Sequence, residues 1–318
     1  EIDHIAQLCQ DNVRQAPVLG CRHFYQTFDD FELRWERHHE FSSYTFLVRA
    51  NNQNFFNSPA INQVCKTWLG GITGKVISAV HIEAKTAVNS CENPQAIKPY
   101  FELCRLMGSM LGQQKISLWS AMQLHQDNFN RILLVSDNIH QCENGRVIRT
   151  LLELEAYRNL TLLALPLAQQ VISQVNEIEL ELASLLQHKS IEGHNEKHLM
   201  VLSAMTAKLA KITVNSQYRF DASIAYYQIV DSRFMELYEE KIENIQTLTA
   251  FIKRRLLPAI RTIKAAKQRL DDLVNRANRA SDFLRTKIDM AIAQQNQALL
   301  TSMNQRSKIQ LNMQRAVE

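Results

Sequence analysis

Apolar positions recur with two different periods along this chain, and the change of period divides it. Near the start the period is two: Phe31, Leu33 and Trp35 alternate with Glu32, Arg34 and Glu36, the signature of a half-buried strand. CRHFYQTF, Asp29-Asp30 and FELRWERH predict strand, tight turn and strand, and FSSYTFLVRA continues the sheet. KVISAVHIEA, KISLWSAMQLH and NRILLVSD predict three more strands. The unbroken ILLV of the last is expected of a strand buried on both faces. A first helix is expected over EIDHIAQLCQDNVRQA, closed by Pro17 and Gly20, with others around 61–68 and 97–111 to cover the sheet.

From about residue 143 the period becomes 3.6. The fold class predicted is therefore α+β: an N-terminal α/β domain with a mixed sheet over 1–142, then a long helical stalk over 143–318. Asp137 or Asn138 is a candidate cap for the first stalk helix, which Pro166 should kink. KSIEGHNEK, with Gly193 and Asn195, predicts a reversal into a second helix from about 197 to 240. The third is expected from about Ile245 to the end, some 70 residues bent only at Pro258. Its apolar stripe passes through Ile252, Ile263, Leu270, Leu284, Ile292 and Met303 in steps averaging about 3.6 residues, the period of a nearly straight helix. Lys267, Ser281 and Gln295 are polar positions in that stripe, which predicts a wet or self-associating surface over part of it.

Composition sharpens this division. Six of the eight glycines and four of the six prolines precede residue 143, and no glycine follows Gly193. The six cysteines, Cys9, Cys21, Cys65, Cys91, Cys104 and Cys142, form no Cys-x-x-Cys pair and suit reduced thiols rather than a disulfide framework. There is no secretory signal and no apolar run of about 18 residues that could span a bilayer. The net charge of +4 is uneven: from Lys253 onward 14 Lys/Arg face 5 Asp/Glu. That basic end could meet nucleic acid, an anionic membrane or acidic helices. Its run from Lys253 to Arg279 lacks interleaved aromatics, which argues against single-stranded nucleic acid. The acidic turn Glu236, Glu239, Glu240 and Glu243 offers a structural partner for some of it.

Candidate chemistry is sparse. LGGITGKV lacks the first glycine of a phosphate loop and its Ser/Thr, so it predicts a turn. Glu36, His38 and His39 in RWERHHEF are the weak metal candidates, although residues of one strand alternate faces, and an aromatic-charged edge packed against a helix or subunit fits better. His194 and His198 are four apart, without a third ligand nearby. No motif supports an enzyme, and no cofactor is expected, a divalent cation excepted.

Several stretches together resemble an uncharacterised bacterial family of predicted membrane-anchored proteins. They are LRWERHHEFSSYTF (33–46), RILLV (131–135), Gly145-Arg146, LLELEAYRNLTLLALPLA (151–168), YRFDASIAYY (218–227), IQTLTAFIKRRLLPAIRT (245–262) and the run from Arg279 to Glu318. That resemblance implies further chain at both ends and a C-terminal membrane segment beyond Glu318. It places Asn304, Arg306, Lys308, Asn312 and Arg315 on a membrane-proximal stalk, at the cytoplasmic face of the inner membrane. The architecture also resembles the CorA-type divalent-cation transporters, whose last stalk helix enters the membrane. What the two resemblances imply is the cytosolic portion of a membrane-anchored homo-oligomer, with a CorA-like ion conduit as its sharpest form. A membrane-tethered scaffold or interaction module without transport is the alternative.

Overall fold

The computed structural model describes residues 1–49, 56–86, 94–102, 105–112, 116–136, 141–187 and 195–317. It is α+β, with strands gathered early and long helices after them. Asp137, Asn138 and Gly193 lie outside the described residues.

The early strands divide into two sheets. In the first, β1 (His23–Thr27), β2 (Glu32–Arg37) and β3 (Ser42–Leu47) are antiparallel in that order. The period-2 reading holds: Phe31, Leu33 and Trp35 are buried and the residues between them are not. They pack with Ile5 and Leu8 of α1 (Ile2–Asp11) and Trp68 of α2 (Lys66–Gly70). Trp68 ties the two helices together: its indole N–H donates to the His4 carbonyl at 2.8 Å while its ring stacks on the His4 imidazole.

The second sheet runs β4 (Val80–Thr86), β7 (Asn130–Ser136), β6 (Ile116–Ser120), β5 (Met107–Leu111) and β8 (Glu240–Lys241). Only β4 and β7 pair in parallel, so the sheet is mixed. Ile132 to Val135 are all buried, as the ILLV run predicts. The helix expected over 97–111 is instead the one-turn α3 (Pro94–Ile97), a 3-10 turn (Lys98–Phe101) and the strand β5. Leu and Met are good helix formers, but Gly108 fills a niche that only a strand here provides. A Cβ on Gly108 would fall 2.5 Å from the Trp119 ring of the neighbouring β6.

Four long helices follow: α4 (Gln141–Leu162), α5 (Leu165–Gln187), α6 (Asn195–Glu236) and α7 (Leu248–Val317). Pro166 does more than kink the first stretch. The helix stops at Leu162, and α5 starts afresh with Pro166 in its first turn, where a missing N–H costs nothing. The second stalk helix ends at Glu236 rather than near 240, because Glu240 and Lys241 leave it to pair with Ser109 and Met110 of β5. Pro258 lies inside α7, which continues through it.

The chain forms two compact units, residues 1–159 with 230–254, and residues 160–229 with 255–318. The first holds both sheets, α4 as far as Asn159, the end of α6 from Val230 and the start of α7 up to Arg254. The first turn of α7 is pinned to the sheet: the Leu248 N–H donates to Ser109 Oγ at 3.1 Å and the Thr249 N–H to Glu239 Oε2 at 3.0 Å. The Ser109 hydroxyl donates in turn to Glu239 Oε1, and the Gly108 N–H donates to the Gln246 carbonyl. A carboxylate here satisfies orphan donors and meets the positive end of the helix dipole. The second unit is a helical core in which α5, α6 and α7 share Val171, Val175, Leu209, Phe220, Ile263 and Leu270 among others.

Candidate functional site

The stripe of α7 has two fates. From Ile252 to Ala277 its apolar positions are buried, apart from the half-buried Val274, and Leu284 is the last of them, 9% exposed. Ile288 is half-buried, and from Asp289 to Ile309 every residue is exposed. The stripe itself does not stop there. Ile288, Ile292, Gln295, Leu299 and Met303 lie within an arc of roughly 80° at 3.6 residues per turn. Ile292, Leu299 and Met303 are 50%, 56% and 64% exposed. The polar stripe positions differ along the helix as well. Lys267 is paired with Asp221, Ser281 is half-buried, and Gln295 is exposed. Asn304, Arg306 and Lys308 are exposed on this end of α7, and Asn312 and Arg315 belong to the same helix with side chains outside the described residues.

Upstream, four of the nine basic residues from Lys253 to Arg279, Lys267 among them, pair with acids of neighbouring helices. Lys253 pairs with Asp231 at 2.8 Å, and Arg269 and Arg276 share Glu179 at 2.5 and 3.3 Å. Of the acidic turn, Glu236 pairs with Arg233 and Glu239 caps α7.

A second concentration of chemistry sits at the start of the parallel strands. His81 and Arg131 are register partners on β4 and β7. Asp127, in the loop before β7, lies 3.5 Å from both His81 Nε2 and Arg131 Nη2. His81 also stacks on Phe129 with ring centroids 4.0 Å apart. Arg131 donates to the Tyr100 carbonyl at 3.3 Å and lies over the Phe56 ring. His125 is buried, with Glu102 Oε1 3.1 Å from its Nδ1 but out of line for a hydrogen bond. Phe56, Glu102, Met122 and Asn128, all beside this cluster, have positive φ without being glycine. Left-handed backbone at such residues persists where the surroundings impose it.

The electrostatics follow the geometry. Burial pushes the His81 imidazole below its ordinary value, with Arg131 and His125 adding to the effect and Asp127 opposing it. Burial raises the Glu83 carboxyl, against the pull of the Phe56 N–H, which donates to it at 2.7 Å, and of Arg131. Burial acts in the same direction on Asp127, but the Phe129 N–H, His81 and Arg131 outweigh it and hold that carboxyl below the usual range. Arg131 thus clamps together β7, the loop before it, the turn at Tyr100 and Phe56.

The weak metal candidates are not brought together. Glu36 accepts from Arg34 at 2.5 Å. β2 ends at Arg37, so His38 and His39 lie in the turn after it rather than on a strand. His38 stacks on Phe41 and meets Tyr157 of α4 edge-on, the aromatic edge against a helix that the sequence suggests, and His39 is exposed. No group of three or more His, Cys, Asp or Glu among the described residues is placed to hold a metal ion. His198 is half-buried in α6, and His194 lies outside the described residues. In LGGITGKV, Gly74 has φ +113°, as a turn requires. Cys9, Cys21 and Cys65 are free thiols.

The His81 cluster went unseen in the sequence because its members come from 81, 102, 125, 127 and 131. The one local hint is HQDNFN, a polar turn between two strands that carries a histidine and an acid.

The fold and these sites define an α+β protein whose long last helix is accompanied over only part of its length among the described residues. Over residues 1–318 the chain matches the family described as "Protein of unknown function (DUF3422)", and it belongs to that family. No curated protein and no solved structure matches it. No helix among the described residues is long and apolar enough to cross a membrane.

Proposed function

We propose that the chain is the cytoplasmic portion of a membrane-tethered, oligomeric protein in which the exposed part of α7 is a stalk running among other helices. One observation carries this reading: the apolar stripe continues, interrupted only by single polar positions, from its buried part into a part with no neighbour among the described residues. A lone amphipathic helix gains little from water, since most helical stability in proteins comes from packing an apolar face. Arg306 and Lys308, exposed near the far end, suit a helix that approaches an anionic bilayer.

In this reading the His81–Asp127–Arg131 cluster is a structural tie and no chemical step is carried out. Ion conduction in the manner of the CorA-type transporters is its finest form. The first test is where the endogenous protein resides. It is expected in the membrane pellet after high-salt and carbonate washing, and full recovery in the supernatant overturns the tether. Divalent-cation flux into proteoliposomes of the full-length protein then separates a conduit from a tethered scaffold, which gives none.

A further inference from the structure

We propose that the exposed stripe of α7, made of Ile292, Leu299 and Met303 and continuing from the half-buried Ile288, is the surface on which a second copy of this chain packs, parallel and in register. The parallel sense rests on the membrane-tethered reading, because copies held by one bilayer point the same way.

Three observations favour a second copy as the occupant. The first is continuity. The same stripe already serves as a helix-packing seam at Ile263, Leu270 and Ala277, against α5 and α6. A helix added beyond Leu284 therefore extends a seam of proven geometry. The second is charge. From Met290 to Gln305 there is no Asp, Glu, Lys or Arg. Parallel, in-register packing sets each residue beside its own copy, which is costly wherever a charge repeats. This stretch avoids that cost, and it offers no charged handle to an acidic or basic partner. The third is Gln295, the one polar position inside the exposed stripe. Its amide is both donor and acceptor, so its complement is another amide. An identical helix in register supplies one at the right height, as polar core residues do in coiled coils.

Sedimentation velocity of the full 318-residue chain over a range of concentrations tests this, alongside the double variant I292D/L299D. Both positions are exposed in the single chain, so circular dichroism of the variant should match the wild type. The wild type is expected to self-associate, and the variant to do so roughly 100-fold more weakly or not at all. A wild type that stays monomeric up to roughly 100 µM, or a variant that associates equally well, overturns the proposal. A photocrosslinking residue at 299 reads the orientation. Linkage to position 299 of the second copy supports the parallel register, and linkage to position 292 refutes it. The two readings also fail separately. A soluble endogenous protein that still associates through the stripe sinks the tether and leaves the interface. A membrane-bound protein whose stalk neither associates nor crosslinks does the reverse.

Discussion

The two ends of α7 are built from similar residues and live in opposite surroundings. At its start, side chains and strands reach for the backbone: Ser109 and Glu239 take its first N–H groups, and β8 fastens the preceding turn to the sheet edge. At its far end, from Asp289 to Ile309, nothing among the described residues covers it. Periodicity is the same in both halves, so it reports which face a helix would bury. It does not report whether a neighbour is there to bury it.

The sharpest way to break this contrast is to truncate the same residue type at both places. Leu273→Ala, at a fully buried position, is expected to cost about 2–5 kcal/mol of unfolding free energy in urea. Leu299→Ala, measured on dilute monomer, should stay within about 0.5 kcal/mol of wild type. Equal losses would mean that the far end is packed within the single chain.

Next in size is Gly108→Ala. It drives a methyl group into the Trp119 ring beside the pinned start of α7, and about 1–3 kcal/mol of destabilisation is expected by thermal denaturation. Glu239→Ala removes the acceptor that holds the Thr249 N–H and is expected to cost about 1 kcal/mol, in the range of a lost helix cap. Amide exchange should then quicken over the first turn of α7 and stay unchanged beyond Arg285.

The smallest expected effect is the response to acid. His81 has a folded pKa below its unfolded value, near 6.5, so the unfolded chain binds the proton more readily. Its contribution is fully present above that value and is lost as pH falls through the unfolded pKa towards the folded one. Asp127, also lowered, adds a loss only nearer pH 4, whereas Glu83, raised, opposes it. Unfolding curves at pH 7 and pH 5.5 should therefore show wild type losing more stability than His81→Gln. An equal loss in both proteins would show that His81 is not the group responsible. Far-UV helicity of the Asp289–Ile309 stretch, which holds no histidine, should not share in the change.

Much of the fold was legible because it was written in local periods. The alternation at 31–36, the ILLV run and the stripe of α7 each encode a face, and each face is where the period puts it. What was not legible depended on partners far away in sequence. Residues 107–111 carry helix-forming Leu and Met, and only Trp119 on the neighbouring strand explains Gly108. β8 is two residues long, too short for any period. The Arg131 clamp gathers residues spread from Phe56 to Arg131, none unusual in its own neighbourhood. The stalk residues Asn304, Arg306 and Lys308 could be placed on a helix from sequence, but their exposure depends on neighbours that a period cannot supply.

The pinned first turn of α7 has a geometric consequence. Ser109 and Glu239 hold the Leu248 and Thr249 N–H groups, and β8 pairs the preceding turn to β5, so the sheet edge sets the residue at which the helix begins. A slip of one residue at this start would turn the helix about its own axis by about 100°. The Glu239 carboxylate therefore fixes the phase of α7 as well as capping it.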